Sequence, residues 1–138
     1  MKILAALDQT PYAEFVLTKA IKTARQQNAK LDILVVAGDF SDAGDSCGWE
    51  SINGKLLEAA TAAAKAYRQK ALAQGIQAKI RVMQGTSPAD VIVKYQQAED
   101  LDLIVIGRRS HKGQDPFPIG PVAQRVAAHA TCTVMVVR

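Results

Sequence analysis

The sequence predicts a doubly wound α/β fold, a five-stranded parallel sheet with helices on both faces, and three observations carry that prediction. Short apolar runs at residues 3–7, 31–37, 103–106 and 134–137 have strand length, and a fifth run places Ile80 and Val82 between charged neighbours. Segments with helical spacing separate the runs, and turn residues such as Gly85-Thr86-Ser87-Pro88 and Gly120-Pro121 stand where helices begin. Strands that alternate with helices pair in parallel, because each helix carries the chain back across the sheet.

The first run is continuous and apolar and stops at Asp8. Thr10 is placed to cap a helix with Pro11 at its first position. That helix carries Ala13, Leu17, Ala20, Ile21 and Ala24 at three- and four-residue spacings and stops at Gln26-Gln27-Asn28. After the second strand, residues 38–54 turn to Gly, Asp and Ser and predict a surface loop whose bulky residues are Phe40, Trp49 and Ile52. Residues 55–74, rich in Ala, Lys and Leu, predict a long helix closed by Gly75 in a left-handed conformation. Ser87 then caps a third helix with Asp90 at its third position and Val91, Tyr95 and Ala98 on its buried side. Residues 103–106 are apolar without alternation, as in a strand covered on both faces, and Gly107 ends them. Gly120 and Pro121 open a last helix through Ala130, and a final strand runs from Val134 to Val137.

The 138 residues, 49% of them hydrophobic, suit one domain over residues 1–138 with a substantial core. No run approaches the roughly 18 apolar residues of a membrane span. Asp8 interrupts the apolar start too early for a signal peptide, so the expected location is cytoplasmic, with no membrane partner. The net charge of +4 is spread over several faces, which argues against a nucleic-acid partner, but Arg108, Arg109, His111 and Lys112 form one basic cluster. Cys47 and Cys132 lack any metal or redox spacing and read as plain thiols, and His129 beside Cys132 is too isolated a pair for a metal site.

In a doubly wound sheet, ligands bind beyond the carboxyl ends of the strands where the strand order reverses. That directs attention to Asp8-Gln9-Thr10 after the first strand and to residues 107–120 after the fourth. Asp8 serves equally as a turn residue. The cluster from Arg108 to Lys112 serves equally as a solvated loop, Gly107 as a strand terminator, and Gly120 as a helix entry. Trp49 and Cys47 read as a hydrophobic tuck over the core, with a lid or a partner contact as the sharper alternative.

Over essentially its whole length the sequence resembles the universal stress protein family. The residues that carry the resemblance are Ile3-Leu4-Ala5-Ala6-Leu7-Asp8, Gly85-Thr86-Ser87-Pro88, Asp102-Leu103-Ile104-Val105-Ile106-Gly107 and Ala130-Thr131-Cys132-Thr133-Val134-Met135-Val136-Val137, in family order. Nucleotide-binding members carry Gly, two residues, Gly, nine residues, then Gly followed by Ser or Thr. Gly107 and Gly120 keep the first and third glycines, while Ser110 replaces the second and Pro121 the hydroxyl residue. Ser110 adds a side chain where a glycine would admit phosphate, and Pro121 removes a hydroxyl and a backbone N–H together. The amides of Val122 and Ala123 at a helix N-terminus, with Arg108, Arg109 and Lys112, would supply compensating donors and charge.

The resemblance implies an adenine nucleotide, ATP or AMP with Mg2+. Asp8 would bind the ribose, the backbone of Val36 and Ala37 the adenine, and residues 107–120 the phosphates. It also implies a stress-response regulatory module, a homodimer paired through residues 134–137, and at most slow nucleotide hydrolysis. A module of the same fold that acts through protein contacts without nucleotide is the alternative, favoured by Ser110 and Pro121. No Gly-Lys-Ser/Thr phosphate loop, His-Glu-x-x-His or Gly-x-Ser-x-Gly motif occurs, and Met83-Gln84-Gly85 stands where a phosphorylated receiver domain would need its acceptor Asp.

Overall fold

The computed structural model describes residues 1–39, 49–108 and 119–138, with the side chains of Trp49 and Glu50 outside that description. In chain order the elements are β1 (Lys2–Leu7), α1 (Ala13–Gln27), β2 (Lys30–Gly38), α2 (Trp49–Ala73), β3 (Lys79–Gly85), α3 (Pro88–Ala98), β4 (Leu103–Gly107), α4 (Pro121–His129) and β5 (Thr133–Val137). The strands form one sheet in the order β3-β2-β1-β4-β5, and every neighbouring pair is parallel. The expected doubly wound architecture is therefore the observed one.

Alternation along the central strands builds two cores. Ile3, Ala5 and Leu7 of β1 face α1 and α2 together with Ile33, Val35 and Val105. Leu4 and Ala6 face α3 and α4 together with Leu34, Ile104 and Ile106. Because both faces are covered, Ile3, Leu4 and Ala5 in the middle of the sheet are fully buried in sequence, which is why that run shows no polar alternation. At the edges the covering thins, and β3 alternates half-buried Ile80 and Val82 with exposed Lys79 and Arg81.

Three sequence expectations need correction. α1 begins at Ala13, not at Pro11, and Thr10 does not cap it: the Thr10 amide and hydroxyl both donate to Oδ1 of Asp8, at 3.0 and 2.6 Å. A carboxylate is a stronger acceptor than a neutral group, so the hydroxyl turns back to Asp8 and is not spent on the helix. α2 begins at Trp49, inside the predicted loop 38–54, and runs through Gly54 despite the poor helix propensity of glycine. Tertiary contacts hold that first stretch, since the Gln84 side chain donates to the Asn53 carbonyl at 3.0 Å and Asn53 donates to Asp39 at 3.0 Å. On α3, Ala98 is exposed and Val91 only half-buried. The buried stripe is Ala89, Ile92, Val93, Tyr95 and Gln96, a phase disguised in the sequence by the polar Gln96.

Gln96 is 3% exposed and makes three hydrogen bonds. It donates to the Leu101 carbonyl and accepts from the amide and hydroxyl of Thr131, so one amide side chain joins the end of α3 to the turn before β5. Ser87 caps α3 by accepting from the Asp90 amide, as its position in the sequence predicts.

Candidate functional site

The order of the sheet reverses between β1 and β4, where the chain winds outward in both directions. The β1–β2 ladder ends at Leu7↔Val35 and the β1–β4 ladder at Ala6↔Ile106. Beyond those pairs the chains diverge toward α1 and α4, and a cleft of about 610 Å3 opens between them. That volume lies within the roughly 300–1,000 Å3 of small-molecule sites. Leu34, Val36, Ile92, Ile106 and Val122 make its lining largely apolar, and among the described lining residues only Asp8 and Arg108 are charged.

Asp8 sits at the mouth of the cleft, one residue past the last ladder pair of β1. Thr10 occupies its Oδ1 through a closed Asx turn, while no donor among the described residues reaches Oδ2. Its backbone carbonyl, no longer held by a strand, accepts from the Tyr67 hydroxyl of α2 at 2.6 Å. Burial, reinforced by the nearby carboxylates of Asp8 and Glu14, raises the Tyr67 phenol above its ordinary 10.0, so the phenol keeps its proton and remains a donor at neutral pH.

At Gly107, β4 comes close to the start of α1. A Cβ there would lie 2.8 Å from Cγ2 of Val16 and 3.1 Å from Cδ1 of Tyr12, so the missing side chain is what lets the start of α1 pack on the strand end. Tyr12 then reaches β5: its hydroxyl and the Arg108 amide both donate to the Val137 carbonyl, at 2.8 and 3.0 Å. The floor of the cleft is thereby tied to the edge strand.

Across the cleft, Gly120 is the extended N-cap of α4, without a side-chain cap, and Pro121 is its first residue. The first helical bond runs from the Gln124 amide to the Gly120 carbonyl, leaving the amides of Val122 and Ala123 without partners among the described residues. These amides and the helix dipole form a positive end facing the same cleft that Asp8 lines. On the opposite wall, β2 extends past its last pair with β1, and Val36 and Ala37 are in register with β3 alone.

Of the residues singled out in the sequence, Asp8, Val36, Gly107, Arg108, Val122 and Ala123 line this one cleft. Ala37 is adjacent through its backbone while its side chain is buried on the α1 and α2 face. Gly120 is buried and Pro121 exposed beside the cleft. Arg109, Ser110 and Lys112 lie outside the described residues. Sequence reasoning missed Tyr12, Phe15 and Tyr67. Tyr67 carried a signal, as the one aromatic residue in the Ala-rich stretch of α2, whereas nothing local distinguishes Tyr12 or Phe15 from ordinary helix residues.

A doubly wound sheet with a largely apolar cleft at its reversal point and an acidic residue at the end of β1 defines an α/β module with a candidate ligand cleft. The chain belongs to the universal stress protein family, whose model matches residues 1–138. The universal stress protein YxiE of Bacillus subtilis is 26% identical over 146 residues, spanning 99% of this chain and 98% of that protein. A universal stress protein of Methanocaldococcus jannaschii is 33% identical over 90 residues, which are 65% of this chain and only about half, 52%, of that protein. Among solved structures, the universal stress protein UspA from Lactobacillus plantarum superimposes with a TM-score of 0.82 at 27% identity, covering 100% of this chain and 97% of that one. A universal stress protein in complex with cAMP shares the fold with a TM-score of 0.76 at 19% identity, covering 100% and 97% of the two chains. The universal stress protein from Archaeoglobus fulgidus in complex with dAMP does so with a TM-score of 0.66 at 21% identity, covering 100% and 98%. Among the described residues, no helix is long and apolar enough to cross a membrane.

Proposed function

We propose that this chain is a cytoplasmic stress-response module of one domain, residues 1–138, that binds an adenine nucleotide in the cleft between β1 and β4. The observation that carries the reading is the pairing, across one apolar cleft, of an acidic side chain with a carboxylate oxygen and a helix end with two amides that have no partner among the described residues. Asp8 takes the ribose hydroxyls through Oδ2, and the unpaired backbone flank of Val36 and Ala37 takes the adenine edge. The phosphates lie toward Gly107, Gly120, Val122 and Ala123, with Arg108, Arg109 and Lys112 for charge and Ser110 and Pro121 as the two altered positions. Mg2+ arrives on the phosphates and needs no protein cage of its own. The structures solved with cAMP and dAMP support the choice of adenine, since both share this fold.

The half-exposed apolar edge of β5, Val134 to Val137, pairs with its copy in a second subunit in this reading, because an unpaired apolar edge is otherwise an aggregation hazard. Calorimetric titration of ATP, ADP and AMP with magnesium tests the nucleotide, after the denatured supernatant has been searched for nucleotide carried through purification. Binding in the micromolar range or tighter that Asp8→Ala weakens is the expected result. No binding and no carried nucleotide would overturn the reading in favour of a module that works through protein contacts, the alternative that Pro121 supports by removing two donors from the helix end.

A further inference from the structure

The structure assigns Tyr67 to a role that its place in a distant helix conceals: we propose that it is a positioning residue for Asp8, fixing the backbone from which the nucleotide-binding carboxylate projects. The inference rests on the nucleotide reading of the cleft. Tyr67 lies in the last third of α2, 7% exposed, and packs in the core that α1 and α2 make on the sheet. Its hydroxyl donates to the Asp8 carbonyl across 59 residues of sequence.

Asp8 needs such an anchor because it stands just where the ladder stops. Leu7 is its last paired neighbour, the next helix begins at Ala13, and Asp8, Gln9, Thr10 and Pro11 are all exposed. The Asx turn to Thr10 fixes the carboxylate relative to its own backbone, but that turn is local and would swing with the loop. Tyr67 supplies the missing restraint by holding the Asp8 peptide plane to the core. Two contacts thus define the group from both sides, one setting the side chain on the backbone and one setting the backbone on the fold. Lys70 pairs with Glu14 one turn further along, a half-exposed contact that marks where α2 meets α1 and adds little to its strength. The bland alternative is that Tyr67 fills the core and satisfies a carbonyl, in which case removing its hydroxyl affects stability and has no specific link to Asp8.

A double-mutant cycle separates the two. ATP with magnesium is titrated by calorimetry into the wild-type protein, Tyr67→Phe, Asp8→Ala and the double variant, with thermal melts by circular dichroism to verify folding; Phe retains the ring and its packing. Tyr67→Phe is expected to weaken ATP binding about 3- to 10-fold, the range of one neutral hydrogen bond. In the Asp8→Ala background the same change is expected to alter affinity by less than about twofold, because its effect passes through the absent carboxylate. A neutral Tyr67→Phe, or equal weakening in both backgrounds, overturns the positioning role and leaves the nucleotide site standing. Failure of the wild type to bind ATP, ADP or AMP overturns the nucleotide reading, and the role of Tyr67 falls with it.

Discussion

Replacing Gly107 by alanine tests whether this glycine is a packing residue in its own right, independent of any ligand. The added Cβ would sit 2.8 Å from Cγ2 of Val16 and 3.1 and 3.3 Å from two ring carbons of Tyr12. Val16 is 2% exposed and β-branched, so it has no free rotamer into which to retreat. Tyr12 is held by its hydrogen bond to the Val137 carbonyl, so moving its ring also loosens the tie to β5. Overpacking of this kind costs about 1–3 kcal/mol. For a chain of this length each kcal/mol lowers Tm by roughly 3–5 °C, so the melt read by far-UV circular dichroism should fall by at least about 3 °C. Val16→Ala removes the nearest clashing methyl, and in that background the penalty for Gly107→Ala should shrink by at least about 0.5 kcal/mol. An undiminished Tm for Gly107→Ala, or a penalty unchanged by Val16→Ala, would refute the packing argument and return Gly107 to the simpler role of a strand terminator.

Gln96→Ala should be among the more damaging polar substitutions, because it strands the Leu101 carbonyl and the Thr131 amide that the buried side chain now serves; a loss of about 2–3 kcal/mol is expected from urea unfolding. Alkaline stability should depend on two phenols. Burial, with the Asp32 carboxylate that accepts its hydrogen bond, holds Tyr95 above its ordinary 10.0, and burial does the same for Tyr67. The folded state therefore binds more protons than the unfolded state once pH exceeds about 10, so the urea midpoint should be unaffected by these groups below that pH and decline above it, less steeply in Tyr95→Phe. Pro121→Ser restores a hydroxyl and an amide at the start of α4 and should tighten ATP binding about tenfold in calorimetry; no change would mean that those donors are not what limits the site. Light scattering at micromolar concentration should give twice the mass of the chain, and a monomer would rule out pairing through β5.

The fold was legible because its signals were redundant. Continuous apolar runs at β1 and β4, alternation at β3, Ser87 before Pro88 and Gly120 before Pro121 all specify the same order of elements. The misreadings occurred where one side chain had two physical options. Thr10 has the composition of a helix cap and the geometry of an Asx partner, and the choice depended on the carboxylate two residues earlier. The start of α2 contains Gly54 and Asn53, poor helix formers, yet is held by Gln84 from another strand, a contact that no local pattern reveals. In the cleft, residues next to the turns were legible because topology alone directs them there. Tyr67 stood out only as a lone aromatic residue and Tyr12 not at all, and neither role was legible, since their hydroxyls act across 59 and 125 residues of chain.

The two ends of the sheet use their polar groups differently, and that difference supports the proposed site independently of any relative. At the amino end the groups consume one another. The Lys2 amide donates to the Asp102 carboxylate and the Asp102 amide to the Lys2 carbonyl, the Lys30 amide donates to the Met1 carbonyl, and the Tyr95 hydroxyl donates to Asp32. At the carboxyl end, among the described residues, Asp8 keeps one carboxylate oxygen without a donor and the amides of Val122 and Ala123 have no acceptor, although all three groups border the same cleft. Buried polar groups are ordinarily paired, while an exposed one such as Asp8 is served by water or by a ligand that displaces it. The leftovers here are complementary in sign, an acceptor on one wall and donors on the other. Under the proposed reading, one ligand engages both by presenting hydroxyl donors about an apolar body at one end and anionic acceptors at the other, as a nucleotide does.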